Sequence, residues 1–267
     1  MSLSSSPPAV ECRRLSFRYP NGQLALYELS CSIAAGERIA VVGPSGAGKS
    51  TLLMHLNGLL PHPAVPPDEA SILIQSLPVT KSNLRTIRSQ VGFVFQDPDD
   101  QLFCPTVRED VAFGPLNLSL SPEEVNARVN QSLSAVGLPE HGTRNPAQLS
   151  TGERKRVCLA GVLACHPSIL VLDEPTSNLD PRARRNLLDI LRQYAGTQII
   201  ATHDLDFVFD LCQRVLVLDG GHLQAAGPVQ QVLSDAPLME RHGLEVIWRL
   251  RSAPRFSGET PNISTTS

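Results

Sequence analysis

The segment Gly43-Pro44-Ser45-Gly46-Ala47-Gly48-Lys49-Ser50-Thr51 collects the groups that a polyphosphate requires. Glycines let backbone amides approach the phosphates, the lysine reaches the β- and γ-phosphates, and the Ser50 hydroxyl can ligate Mg²⁺. A second cluster, Asp173-Glu174, ends the apolar run Ile169–Leu172. Alone, such a pair at a strand end is a turn. Downstream of a P-loop, Asp173 serves the Mg²⁺ shell and Glu174 orients or deprotonates an attacking water. A third segment, Leu149–Val157, reads Leu-Ser-Thr-Gly-Glu-Arg-Lys-Arg-Val and opens another helix. Its spare N–H groups and dipole favour an anion. Two anion-binding helix starts with one P-loop suggest a nucleotide shared between two copies of the chain. His203, in Ala201-Thr-His-Asp, and Gln96, after Val91–Phe95, are by themselves as readily structural as functional.

These groups need a frame, and the apolar pattern supplies one. Glu37–Val42 leads into the Gly-rich turn, and a helix is predicted from Lys49 to about Gly58. Val91–Phe95, Ile169–Leu172, Gln198–Ala201 and Val215–Leu218 are short, continuously apolar runs, as in a parallel sheet covered on both faces. Helical patterns at 182–195 and 204–212 separate the last strands and give βαβ order. Between about 97 and 158 the alternation breaks. Ser121-Pro122-Glu123-Glu124 is a helix start, Val125, Val129, Leu133 and Val136 form one stripe, and Gly137 ends it. The expectation is an inserted helical lobe, with disordered tails at 1–9 and 252–267.

Composition narrows the function classes. A net charge of −3 and 4% aromatic residues give neither a basic field nor a stacking surface for nucleic acid. The six cysteines have no metal-ligand spacing, and Cys158 and Cys165 sit in apolar helical pattern as small buried hydrophobes. The start lacks a basic, then apolar, signal pattern, and no apolar run reaches the roughly 20 residues of a membrane helix. A cytosolic protein that meets membranes only through partners is expected.

Over roughly residues 10–235 the assembled set resembles the ATP-binding-cassette (ABC) ATPases. The resemblance implies an α/β, RecA-like P-loop fold: a mostly parallel core sheet, an N-terminal antiparallel β part and the helical lobe. It implies ATP and Mg²⁺ as ligands, with Ser50, Gln96 and Asp173 around the metal. Glu174 is then the catalytic carboxylate, His203 the switch histidine on the γ-phosphate, and Lys49 the phosphate-binding lysine. Tyr19 sits where the family stacks adenine, and Gln96 where it couples Mg²⁺ to the transporter. Ser150, Thr151, Gly152 and Glu153 form the signature that closes on ATP held by the opposite subunit, and Asp180 belongs to the D-loop. Three positions depart from the pattern: Thr151 where Gly is usual, Glu153 where Gln is commoner, and Asn178 where Ala is typical. A left-handed backbone at 151 would make a β-branched residue costly there.

Within the family, Phe95–Phe103, Pro105-Thr-Val, Asp110–Asn117 and Leu56-Asn-Gly-Leu59 look like the ATPases of prokaryotic energy-coupling-factor importers, which take up vitamins or transition-metal ions. Thr202–Asp206 and Val217–His222 look most like the cobalt and nickel branch. The resemblance implies a peripheral subunit on the cytoplasmic face of the membrane. Its partners would be a second ATPase subunit, identical or paralogous, a coupling membrane subunit and a substrate-binding membrane subunit. Leu102 and Phe103 either receive a coupling helix or fill the lobe's core. Leu238–Trp248, within the segment 237–251 beyond the cassette, either docks on the partner ATPase or packs on its own domain. A soluble ATP-driven switch on ribosomes or DNA is the rival reading, but the interval from Lys49 to Ser150 leaves no room for a coiled-coil insertion. A non-hydrolysing scaffold is disfavoured, because no catalytic group is missing.

Overall fold

The computed structural model describes residues 7–60 and 70–250. The expected tail at 252–267 and residues 1–6 of the expected tail at 1–9 lie outside the described residues. Of the rest of that N-terminal stretch, Ala9 is buried, and its carbonyl accepts from Gln75 N at 2.9 Å, extending the local sheet.

In chain order the strands are β1 (Val10–Arg18), β2 (Leu24–Ile33), β3 (Arg38–Val42), β4 (Ile72–Ile74), β5 (Leu77–Pro78), β6 (Val91–Val94), β7 (Ile169–Asp173), β8 (Thr197–Ala201), β9 (Arg214–Asp219) and β10 (His222–Pro228). The helices are α1 (Lys49–Leu56), α2 (Leu84–Gln90), α3 (Val107–Asn117), α4 (Pro122–Ala135), α5 (Thr151–Leu163), α6 (Pro181–Gln193), α7 (Leu205–Leu211), α8 (Val229–Leu233) and α9 (Ala236–Arg241). Among the described residues, one sheet runs β10-β9-β3-β8-β7-β6, parallel except for β10. An antiparallel sheet runs β2-β1-β4-β5. This is the mostly parallel core sheet with an antiparallel N-terminal part that the resemblance implies.

The continuous apolar runs have a physical cause. Ile39 and Val41 of β3 enter one core, beneath α1 and the antiparallel sheet, while Ala40 and Val42 enter the other, beneath the helical lobe and α6–α9. Strand side chains alternate, so a sheet buried on both faces has no solvent-facing row of polar residues. The lobe forms as its pattern requires. Ser121 Oγ accepts from Glu124 N at 3.2 Å, and Val125, Val129 and Leu133 are buried. Gly137 follows the helix at a φ of 69°. Burial pushes the Cys158 and Cys212 thiols up to about 12, which keeps them protonated and inert. Cys165 is only half-buried.

The segment beyond 236 enters the same core. Met239, Leu244 and Ile247 are buried with the lobe-side residues, and His242 Nδ1 meets Asp219 Oδ2 at 2.9 Å. Trp248 remains 73% exposed. No helix among the described residues is long and apolar enough to cross a membrane.

Asp204 joins two of these elements. It caps α7 by accepting from Phe207 N at 2.9 Å, and it accepts a two-pronged contact from Arg184 of α6 at 2.6 and 2.9 Å. Burial opposes ionisation, but the Arg184 guanidinium and the Phe207 amide outweigh it and hold the carboxyl below its ordinary value. A folded-state value below the unfolded one, about 3.9, contributes stability that is complete above that pH and is lost as pH falls through the folded value. Asp204→Asn should therefore lower unfolding free energy by about 1–3 kcal/mol near neutral pH. Denaturant titrations should show that deficit shrinking below about pH 4.

Candidate functional site

The P-loop joins β3 to α1. At Gly43 the φ is 153°, and a Cβ would lie 2.0 Å from the Leu218 carbonyl oxygen, so only glycine fits. Lys49 Nζ donates to the Gly43 and Pro44 carbonyls at 2.8 and 3.0 Å, which spans the loop. Burial lowers the Lys49 ammonium from its ordinary value, and the Glu174 and Asp173 carboxylates counter that. Tyr19 packs edge-on against Phe17, and its hydroxyl meets Thr51 Oγ1 at 3.0 Å. The proposed adenine platform is thereby tied to α1.

Asp173 is the last residue of β7. It is buried, and its Oδ1 has no partner among the described residues. Burial raises its carboxyl above the ordinary range, the Ser50 hydroxyl opposes this, and the charge on Glu174 adds to it. A buried carboxylate oxygen without a partner beside a hydroxyl fits a hard cation such as Mg²⁺. No cluster of three His, Cys, Asp or Glu side chains suited to a metal occurs among the described residues.

Glu174 adopts a left-handed backbone with φ at 44°. Such a conformation costs a non-glycine residue about 1–3 kcal/mol. Its Oε2 accepts from Thr202 Oγ1 at 3.2 Å and meets His203 Nδ1 at 2.9 Å. The His203 side chain is 70% exposed. Lys49, Ser50, Asp173, Glu174 and His203 thus gather at one edge of the sheet.

The signature lies elsewhere. Ser150 caps α5, and Ser150 to Glu153 line a groove of about 1030 Å³ with Asn178, Asp180 and Arg156, which no P-loop residue lines. Thr151 is the first residue of the helix and has no positive φ, so the left-handed backbone considered for it does not arise. Gly152 is the position that requires glycine, since a Cβ there would lie 2.9 Å from Ala183 Cβ of α6. Asn178 does adopt φ of 59°, which Asn tolerates better than Ala. Asp180 caps α6 through Arg182 N and Ala183 N, and these amides hold its carboxyl low. Gln96 is exposed and lines a groove of about 540 Å³ with Thr151, Lys155 and Ser177.

Two residues escaped the sequence reading. Thr202 is fully buried and holds Glu174. Lys155 of α5 is also buried, and its Nζ donates to Glu174 O at 3.0 Å, Pro175 O at 3.3 Å and Ser177 Oγ at 2.8 Å. Burial lowers its ammonium from the ordinary value. Its position on the same helical face as Cys158, Leu159 and Val162 is a signal that could have found it.

A third groove, of about 330 Å³, lies between lobe and core and is lined by Phe95, Leu102, Phe103 and Phe113. Leu102 packs inward, while Phe103 is 65% exposed and stacks edge-on with Phe113 at 4.9 Å. Leu102 therefore fills the core and Phe103 does not.

Comparison with known proteins agrees with this geometry. Residues 26–177 match the family model described as ABC transporter. An energy-coupling factor transporter ATP-binding protein of Methanothermobacter thermautotrophicus is 47% identical over 89% of this chain and 76% of its own length. The structure of cbiO1 from Clostridium perfringens, described as part of the ABC transporter complex cbiONQ, superposes with a TM-score of 0.76. It is 34% identical and covers 88% of this chain and 94% of that one. A dimeric ATP-binding cassette in a post-hydrolysis state, bound to ADP and Pi, superposes at 0.71 with 28% identity, over 82% and 98% of the two chains.

Lys155→Met removes the three donors that join α5 to the Glu174–Ser177 turn. Thermal unfolding should show a loss of about 1–3 kcal/mol, and ATP turnover should fall with it. Unchanged stability would mean that the buried ammonium contributes nothing net.

Proposed function

The chain belongs to the ABC transporter family and is an ATPase, and we propose that it is the motor subunit of a prokaryotic importer of the energy-coupling-factor type. The observation that carries this reading is the separation of two half-sites on one chain. The phosphate-binding edge holds Lys49, Ser50, Asp173 and Glu174, while the signature lines its own groove. Two chains facing each other bring the signature of one onto the nucleotide of the other. Because signature and Glu174 are both present, each site of a homodimer is complete.

In that assembly the P-loop amides and Lys49 bind the β- and γ-phosphates, with adenine against Tyr19. Ser50 and Asp173, with Gln96 approaching from the adjacent groove, would hold Mg²⁺, which offsets phosphate charge when bound. Thr202 and His203 fix one oxygen of Glu174, leaving the other to take the proton of the attacking water. Ser150 and Gly152 of the partner contact the γ-phosphate, and His203 turns toward it. The Asp180 loop and Lys155 connect the two events, since both abut the Glu174–Ser177 turn or its following helix. The chain is peripheral, on the cytoplasmic face, with a coupling membrane subunit and a substrate-binding membrane subunit as partners. Phe103, Phe113 and their groove are the surface offered to the coupling subunit, and Gln96 and the 97–105 segment transmit lobe movement to it.

For cargo, the stretches Thr202–Asp206 and Val217–His222 favour a cobalt or nickel ion. A vitamin is the alternative, and an uptake assay in cells lacking the chain separates them by which cargo is lost. The segment 237–251, packed on its own core, still presents Trp248 for contact with the second ATPase.

Glu174→Gln should bind ATP normally and lose turnover by about 100-fold or more, measured by phosphate release. Hydrolysis at the wild-type rate would remove Glu174 from its role. Phe103→Asp places a charge on the proposed docking groove and should abolish co-purification with the membrane subunit from detergent extracts.

A further inference from the structure

Two donors and a histidine ring surround one carboxylate at the signature. Ser150 donates to Glu153 Oε2 from its backbone N at 2.9 Å and from Oγ at 2.7 Å. His141, at the end of the short helical turn Pro139–His141, brings Nε2 to 3.3 Å from Glu153 Oε1. A carboxylate only accepts, so the proton facing it belongs on His141 Nε2. Nδ1 of the same ring is buried with no hydrogen-bond partner among the described residues, so it gains nothing by carrying that proton instead. Glutamine, the commoner residue at position 153 in this family, has one acceptor oxygen and one donor amide. It could satisfy Ser150 only by turning its NH₂ toward the His141 N–H.

We propose that His141 is a positioning residue for the signature: it fixes the Glu153 carboxylate so that Oε2 stays on the Ser150 amide and hydroxyl and holds the capped start of α5 in place, and it is the reason that Glu occupies position 153. The inference rests on the reading of the signature, whose helix Ser150 caps, as the segment that meets the partner's γ-phosphate. Glu153 and Ser150 line the signature groove, whereas His141 contacts the carboxylate from the lobe side. The Ser150 hydroxyl, then its amide, hold the Glu153 carboxyl below its ordinary value against burial, with His141 adding to them. The carboxylate thus remains an acceptor for both Ser150 donors and a partner for the His141 ring.

The test is ATP hydrolysis kinetics on the full chain, purified with the membrane subunits that accompany it, as wild type, His141→Ala, Glu153→Gln and the double variant. Each single change should lower kcat/KM about fivefold or more, chiefly through KM, and the double variant should be no worse than either single one. Losses that multiply in the double variant would mean His141 supports the lobe generally, and the proposal fails. It fails equally if His141→Ala leaves kcat/KM within about twofold of wild type. Binding of a fluorescent ATP analogue to the P-loop of each variant reports that the chain is folded. Ser150→Ala serves as the reference: if it hydrolyses ATP at the wild-type rate, the two-chain clamp itself is wrong. If it is inactive and His141→Ala is not, only the positioning role is lost.

Discussion

Ala201, the last residue of β8, is the Cα partner of Val41 in β3 on one side and of Asp173 in β7 on the other. Its carbonyl accepts from Glu174 N at 2.8 Å, and Thr202 N donates to Val41 O at 3.2 Å. Three parallel strands therefore end level with one another, and each ends in chemistry: the P-loop after β3, Asp173-Glu174 at β7, Thr202-His203 after β8. A slip of one residue in this register would turn every strand side chain to the opposite face. It would also carry the carboxylates away from Lys49. Burial on both sides makes such a slip costly, so the two cores fix the geometry of the site.

The second constraint links this edge to the signature groove. Lys155 is a buried cation on the signature helix whose three acceptors all lie in the turn after β7. Arg154, its neighbour, pairs with Asp99 beside the exposed Gln96 segment. One turn of α5 is therefore tied to the Glu174 backbone, to the D-loop side and to the Q-loop side. Movement of the lobe cannot leave the catalytic turn unaffected, because a buried ammonium that lost its partners would be left uncompensated. This offers a physical route for coupling between the proposed docking surface near Phe103 and Glu174, the proposed catalytic carboxylate.

The sequence made local features legible. The strands were visible as apolar runs because both faces are buried, and α4 because its cap, stripe and terminal glycine all agree. The P-loop was visible because its glycines answer steric demands such as that at Gly43. Contacts made only by folding were not legible. Lys155 and Thr202 act on Glu174 from elements far away in the chain, and His141 reaches Glu153 across a loop. Thr151 looked anomalous because a glycine-rich signature suggests a left-handed backbone. Yet the helix begins at Thr151, and the steric need for glycine falls on Gly152. The segment after 236 leaves docking and self-packing open in the sequence because α9 and the following turn are short, and their burial in the lobe-side core depends on packing alone.

The central claim is that one chain's signature completes the phosphate site of another. It is tested by mixing two inactive variants, Lys49→Ala, which spoils the P-loop, and Ser150→Arg, which spoils the signature. A mixed dimer retains one site built from an intact P-loop and an intact signature, so an equimolar mixture should recover about a quarter of wild-type ATP turnover. A mixture as inactive as its components would contradict the shared site, as would a Ser150→Arg variant that turns over ATP fully by itself.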